Sequence, residues 1–213
     1  MGRHTEEEHH ELQALSEHLL YEIKMLDHTA CRITTLSMAH DSISETDLYA
    51  MLESFLVHIR TLYEFLFRGK GPNDKKALRA YDFKENVPYV RPVADDELKS
   101  AKKMIDKRLV HSSQERLLVK EADWDWHVRI LFNQIYQHLF EFYGWVPDDH
   151  VCEELLLRKN KVLHDFYNDK TKRDRMLEDW SCEIVTDTGS PAISRIVPRP
   201  IGFPIERRLP HED

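Results

Sequence analysis

Residues 48–72, LYAMLESFLVHIRTLYEFLFRGKGP, decide the fold class of this chain. Apolar side chains return there in steps of four and three residues, which is the period of one face of an α-helix. The stripe consists of Leu48, Leu52, Phe55, Ile59, Leu62 and Leu66. It stops before Gly69 and Pro72, residue types that end helices abruptly. The segment therefore predicts an amphipathic helix with one face packed against the rest of the protein.

The same helical period recurs before and after this segment. Apolar residues follow it over residues 6–40, 95–110, 125–143 and 150–167, and a short helix is expected up to residue 180. The chain holds only 6 glycines, which disfavours sheets and phosphate-binding loops but suits helices. These patterns predict an all-α, up-and-down helical bundle of four main helices, followed by two C-terminal helices.

The chain changes character after the last predicted helix. That helix is expected to start at a capping box formed by Thr171 and Asp174. Residues 191–213 contain five of the nine prolines and no helical period. We therefore predict a helical domain over residues 1–180 and an extended or disordered tail over residues 181–213.

The composition indicates in which cellular compartment the protein is found and which class of partner it binds. The formal charge is −8, which argues against a general duplex-binding protein. Cys31, Cys152 and Cys182 are far apart in the sequence and show no metal or redox spacing, as expected in a reducing cytoplasm. No stretch approaches the roughly 20 apolar residues of a membrane span. The sequence therefore predicts a cytoplasmic protein that does not enter a membrane.

One segment concentrates cationic and titratable side chains. The helix expected over residues 95–110 carries lysines along its outer side and runs into a polar elbow. The candidate phosphate contacts are Lys102, Lys103, Lys107 and Arg116, and the candidate catalytic residues are Asp106, Arg108 and His111. A histidine moves protons near neutral pH, and an adjacent arginine holds a phosphate. The alternative is a helix C-terminus whose dipole favours cations.

The thirteen histidines raise the question of a metal site. Glu-x-x-His pairs, such as helical bundles use to bind two irons, occur at Glu6/His9 and Glu7/His10. Both pairs lie at the N-terminus, where we expect a frayed helix without a surrounding core. We therefore interpret them as solvated, and no metal or cofactor is predicted. A di-metal bundle is the most distant alternative.

The order of these segments resembles the HEPN-like helical proteins. The resemblance rests on four segments: MLESFLVHIR at 51–60, FLF at 65–67, IDKRLVH at 105–111 continuing to Glu115-Arg116, and the tryptophan-bearing stretch from Trp124 to Phe142. It covers about residues 10–146 and is more specific for the fold than for the activity.

The resemblance implies a family of metal-independent ribonucleases and toxins of toxin–antitoxin pairs. Their signature is an arginine followed, after four to six positions, by a histidine, and two copies meet in a composite dimer site. His111 fits the histidine, but positions 104–106 are Met, Ile and Asp, and Arg108 is too close. Arg158 and His164 satisfy the spacing farther along, outside the segments that match best.

Two hypotheses follow, both with a homodimer. The missing arginine favours a module that does not cleave and instead binds RNA, a nucleotide or, through its proline-rich tail, a protein partner. The alternative is a metal-independent ribonuclease that uses His111.

Overall fold

The computed structural model describes five parts of the 213-residue chain: residues 5–38, 45–69, 78–83, 91–107 and 127–180. The regular backbone of these parts is helical, and no strand occurs in them. The predicted all-α class is therefore confirmed. None of the helices in these five parts combines the length and the apolar character that crossing a membrane requires. The predicted tail lies outside the described residues.

Six α-helices and two 3-10 helices make up the described structure. The α-helices are α1 (Glu6–Met38), α2 (Glu45–Phe67), α3 (Asp96–Ile105), α4 (Val128–Trp145), α5 (Glu153–Asn168) and α6 (Lys170–Trp180). The 3-10 helices are Ala80–Phe83, after α2, and Asp148–His150, between α4 and α5.

The apolar stripes of the sequence form the core. Its largest fully buried side chains include Ile23, Leu26, Phe55, Ile59, Leu98, Leu131 and Tyr143. α1 packs along α2, and α4 contacts each of the other five α-helices. The central position of α4 follows from its composition, because an α-helix that is apolar over most of its circumference needs neighbours on several sides.

A capping box fixes the start of α1. The Thr5 hydroxyl oxygen accepts a hydrogen bond from the Glu8 backbone N–H at 3.3 Å, and the Glu8 carboxylate accepts one from the Thr5 backbone N–H at 2.7 Å. This reciprocal pair satisfies two of the donors that a helix start leaves open. The first turns of α1 are therefore held in the helix, where the sequence had suggested fraying.

The start of α6 differs from the prediction. Asp169 precedes the helix, and its Oδ1 accepts a hydrogen bond from the backbone N–H of Lys172 at 3.0 Å. This is the contact of an N-cap residue. The predicted capping box of Thr171 with Asp174 is wrong, because Thr171 lies inside the first turn.

Of the two remaining helix boundaries, the end of α3 is only partly described, and the start of α5 differs from the prediction. α3 ends at Ile105, and the next two residues continue it in a wider π turn. The predicted continuation to Val110 lies outside the described residues. α5 starts at Glu153 and not at His150, because the chain first forms the separate 3-10 turn and then extends at Val151, with φ −119° and ψ 149°.

Candidate site between the second and third helices

Charged side chains of α2 and α3 meet along one edge of the core. Arg60 and Glu64 lie about one turn apart on α2, and Lys102 and Asp106 lie about one turn apart at the end of α3. Arg60, Lys102 and Asp106 each directly follow a buried residue. Because successive residues turn by about 100° around a helix, such positions lie at the border between core and solvent. The register of the two apolar stripes therefore brings these charges together.

A chain of ion pairs links the two helices. Arg60 Nε donates to Asp106 Oδ1 at 2.6 Å, and Lys102 Nζ donates to the other oxygen of Asp106. Lys102 Nζ also lies 3.2 Å from Glu64 Oε1. All four side chains are partly shielded from water, from 12% exposed for Glu64 to 32% for Arg60. Pairs this close and shielded are stronger than exposed ones.

Glu64 extends the chain of ion pairs toward the 3-10 helix after α2. Arg68 Nη1 donates to Glu64 Oε2 at 2.7 Å, and Arg79 Nη2 lies 3.8 Å from the same oxygen. The six side chains form what we call the α2–α3 charge cluster: Arg60, Glu64, Arg68, Arg79, Lys102 and Asp106.

The cluster is ionised at neutral pH. Burial raises the pKa of Glu64, but hydrogen bonds from Arg68 and Lys102 outweigh it, so the pKa lies below its ordinary value. The same balance lowers the pKa of Asp106, where Lys102 and Arg60 are the donors. Burial alone would lower the pKa of Lys102. Its two carboxylate partners outweigh this effect, so the pKa lies above its ordinary value. Both carboxylates therefore keep their charge to a lower pH than ordinary glutamate and aspartate side chains do.

The described part of this edge is locally basic. The cluster contains four cationic side chains and two carboxylates among the described residues, an excess of two positive charges. Lys103 on α3 and Lys107 in the π turn that follows it lie beside the cluster, and both are exposed. A protein of net charge −8 thus carries a positive edge at the end of α3.

The predicted residues of the basic segment have different surroundings. Lys102 and Asp106, predicted as a phosphate contact and a catalytic group, lie together, but each is held in ion pairs with α2. Arg108, His111 and Arg116 lie outside the described residues. Sequence reasoning missed Arg60, which contacts Asp106 from the neighbouring helix.

The second predicted pair is divided between two sides of α5. Arg158 Nη2 donates to Asp27 Oδ2 at 2.7 Å and also contacts the Tyr136 hydroxyl, so it points toward α1 and α4. His164 is 71% exposed, and its ring lies 3.8 Å from the carboxylate of Asp165. Residues six apart on an α-helix are separated by about 240°, so the two side chains diverge.

Arg158 instead holds three helices together. The Tyr136 hydroxyl donates to Asp27, and both groups contact the guanidinium. Burial and the nearby carboxylate raise the pKa of Tyr136, which keeps its hydroxyl protonated as a donor. Burial also raises the pKa of Tyr143, to about 12. This polar network joins α1, α4 and α5 and holds the Arg158 guanidinium against Asp27 and Tyr136.

One group among the described residues has the composition of a metal site. It consists of His9 from α1 and of Asp149 and His150 from the 3-10 turn before α5, with one ligand atom from each within 4.8 Å of the others. None of these residues belongs to the α2–α3 charge cluster. Comparison with known proteins identifies no relative, since no family model, curated protein or solved structure matches this chain.

Proposed function

We propose that the protein is an RNA-directed helical module that binds single-stranded RNA through the edge formed by the α2–α3 charge cluster and the exposed Lys103 and Lys107. The observation that carries the proposal is the local excess of positive charge at the end of α3 in a protein of net charge −8. RNA affinity comes largely from the neutralisation of phosphates by Lys and Arg. The resemblance to HEPN-like proteins points to the same ligand.

The cluster and the two lysines have different parts in this proposal. Lys102 is committed to Glu64 and Asp106, so it stabilises the joint between the helices and fixes the position of α3. The long side chains of Lys103 and Lys107 are exposed and adapt to a phosphate backbone. Arg60 is 32% exposed and is oriented by Asp106, an arrangement that suits recognition of one phosphate.

The test is a titration of a fluorescent single-stranded RNA with the purified full chain, followed by anisotropy at several salt concentrations. The variant Lys103→Ala/Lys107→Ala removes two charges from the proposed surface. Lys161→Ala/Lys170→Ala is its matched control, since these lysines are also exposed but lie on α5 and α6. For single strands, two lost phosphate contacts reduce the slope of log Kobs against log salt by about 1.4.

Each outcome of this titration has a definite meaning. A reduced slope and weaker binding in Lys103→Ala/Lys107→Ala, with the control pair unchanged, supports the proposed surface. Equal losses in the two double variants indicate attraction that depends only on total charge and contradict the surface. No binding by the wild type at low salt contradicts the RNA-directed function itself.

One observation favours a metal-independent ribonuclease as a second candidate function. Arg60 Nε lies 2.6 Å from Asp106 Oδ1, so a guanidinium from α2 reaches the end of α3. The sequence that follows Asp106 carries His111. In this candidate, Arg60 replaces the signature arginine that this sequence lacks and contacts the phosphate, while His111 carries the proton. The resemblance implies a composite site in a homodimer.

Cleavage of RNA in EDTA tests the second candidate. His111→Ala and Arg60→Lys are compared with the wild type and with His164→Ala, an exposed histidine on another helix. Loss of cleavage in the first two variants, with His164→Ala active, supports the candidate. An inactive wild type beside an active control nuclease contradicts it and leaves the binding module ahead. Loss only in His164→Ala moves the site to α5.

A further inference from the structure

The turn between α4 and α5 presents a buried histidine to the start of α1. His150 is fully buried, and its Nδ1 lies 2.9 Å from the carbonyl oxygen of Phe83. A carbonyl only accepts hydrogen bonds, so Nδ1 carries a proton, and in the neutral tautomer with this proton the lone pair is on Nε2. The ring of His9 meets that of His150 edge to face, with centroids 4.7 Å apart. His9 Nδ1 also lies 3.4 Å from Asp149 Oδ2.

Independent contacts hold this turn on the helices around it. Gln13 Nε2 of α1 donates to the carbonyl oxygen of Asp149 at 2.9 Å. The backbone N–H of Cys152 donates to Ser16 Oγ at 2.6 Å, and Lys159 Nζ donates to the carbonyl oxygen of Val146 at 2.6 Å. Ser16 and Lys159 are both buried. The backbone positions of His9, Asp149 and His150 are therefore set by the scaffold.

We propose that His9, Asp149 and His150 form a binding site for a divalent transition metal, with Zn²⁺ as the best fit. Two imidazoles and one carboxylate are a ligand set that zinc accepts. A metal-bound histidine commonly donates its other ring N–H to a backbone carbonyl, which fixes the tautomer and aims the ligand nitrogen. His150 has this arrangement with Phe83. The site is separate from the proposed RNA surface and does not depend on it.

The geometry requires a small closure, which the side chains allow. The ligand atoms lie within 4.8 Å of one another, whereas zinc bonds of about 2.0–2.1 Å bring tetrahedral ligands to roughly 3.3 Å. His9 is 25% exposed and Asp149 is 60% exposed, so both side chains are able to rotate toward the buried His150. Three protein ligands leave the fourth position to water, because Asp149 faces solvent.

The test is calorimetric titration of the untagged full chain with ZnCl₂, with the cobalt absorption spectrum as a second readout. The ligand variants are His9→Gln and Asp149→Asn, which alter partly exposed side chains and leave the buried His150 in place. The matched controls are His10→Gln and His18→Gln, because both histidines are exposed on the same helix. Circular dichroism verifies that each variant keeps the helical content of the wild type.

The expected result is one equivalent of Zn²⁺ per chain, with affinity reduced at least about tenfold in both ligand variants and unchanged in both controls. The cobalt complex is expected to show the strong visible bands of a tetrahedral site in the wild type and to lose them in His9→Gln. Absence of binding by the wild type overturns the proposal. Equal weakening by His10→Gln, or unchanged affinity in His9→Gln and Asp149→Asn, also overturns it.

Discussion

His138 should make the stability of this protein fall as the pH rises above neutrality. Its side chain on α4 is only 10% exposed, with Nδ1 3.2 Å from Glu141 Oε2 and Nε2 3.8 Å from Asp95 Oδ2. Burial lowers the pKa of His138, but the two carboxylates outweigh it and raise the pKa to about 9. The edge-to-face contact with Phe67 keeps the ring in place between them.

The size of this loss of stability follows from the difference between the pKa values of His138 in the folded and unfolded states. An unfolded histidine has a pKa of about 6.5, and each unit of difference corresponds to about 1.36 kcal/mol. Below pH 6.5 the residue is protonated in both states, and the folded state has its full advantage. Between pH 6.5 and 9 the folded state binds more protons than the unfolded state, so the free energy of unfolding falls with pH. The total loss is about 3 kcal/mol.

Urea denaturation between pH 6 and 9.5, at constant ionic strength, measures this loss. The quantity to follow is the difference in unfolding free energy between the wild type and His138→Gln, because it cancels the other titrating groups. His164→Gln is the control, since that histidine is 71% exposed and should leave the pH dependence unchanged. If His138→Gln does not fold, Glu141→Gln removes the 3.2 Å partner and should shorten the pH range over which stability falls.

The difference in unfolding free energy between the wild type and His138→Gln is expected to shrink by about 3 kcal/mol from pH 6 to pH 9.5. A difference that stays constant with pH would refute the charged state of His138, and one that grows with pH would show that burial dominates and the ring is neutral when folded.

Three further predictions test individual contacts, and each is measured by the midpoint of urea unfolding at pH 7. Arg158→Met should destabilise the protein by about 2–3 kcal/mol, because it leaves Asp27 without its guanidinium partner in a partly buried site; a loss below about 0.5 kcal/mol would contradict this role. Asp169→Ala should lower the free energy of unfolding by about 1 kcal/mol because it removes an N-cap, whereas Thr171→Ala should leave it almost unchanged. A larger loss in Thr171→Ala than in Asp169→Ala would support the predicted capping box instead. Ser16→Ala should cost about 1–3 kcal/mol by leaving the partly buried backbone N–H of Cys152 without its acceptor, and no change would argue that water replaces the hydroxyl.

The helices were predictable because their signals are local. The stripe from Leu48 to Leu66 and the break at Gly69 predicted α2, and the structure ends that helix at Phe67. Which of two neighbouring residues caps the start of a helix was not predictable in the same way. Asp169 and Thr171 are both good N-cap residues by type, and the structure places Asp169 before the first turn of α6.

The charge cluster depends on how two helices are aligned, which the sequence of one helix does not contain. Lys102 belongs to a basic stripe, and this property predicted a phosphate contact. Lys102 pairs with Asp106 one turn farther along, and once α3 lies against α2 the same side chain also reaches Glu64, so it becomes a partly buried cation held in ion pairs. Lys102 is partly buried and Lys103 is exposed, although the two residues are adjacent in the sequence. Residue type therefore predicted a cationic region, and the helix register decides which lysines face solvent.

The group formed by His9, Asp149 and His150 also depends on how separate segments pack together, which local sequence does not show. A Glu-x-x-His pattern contains ligands from a single helix, so in the sequence His9 was paired with Glu6. The structure instead brings His9 to Asp149 and His150, which follow α4 in the chain. The capping box at Thr5 keeps the first turn of α1 helical. Gln13 of the same helix then joins α1 to the turn that carries His150 by donating to the carbonyl oxygen of Asp149. A metal site formed in this way has no sequence spacing to find, so zinc titration of His9→Gln against His10→Gln tests a contact that only the fold creates.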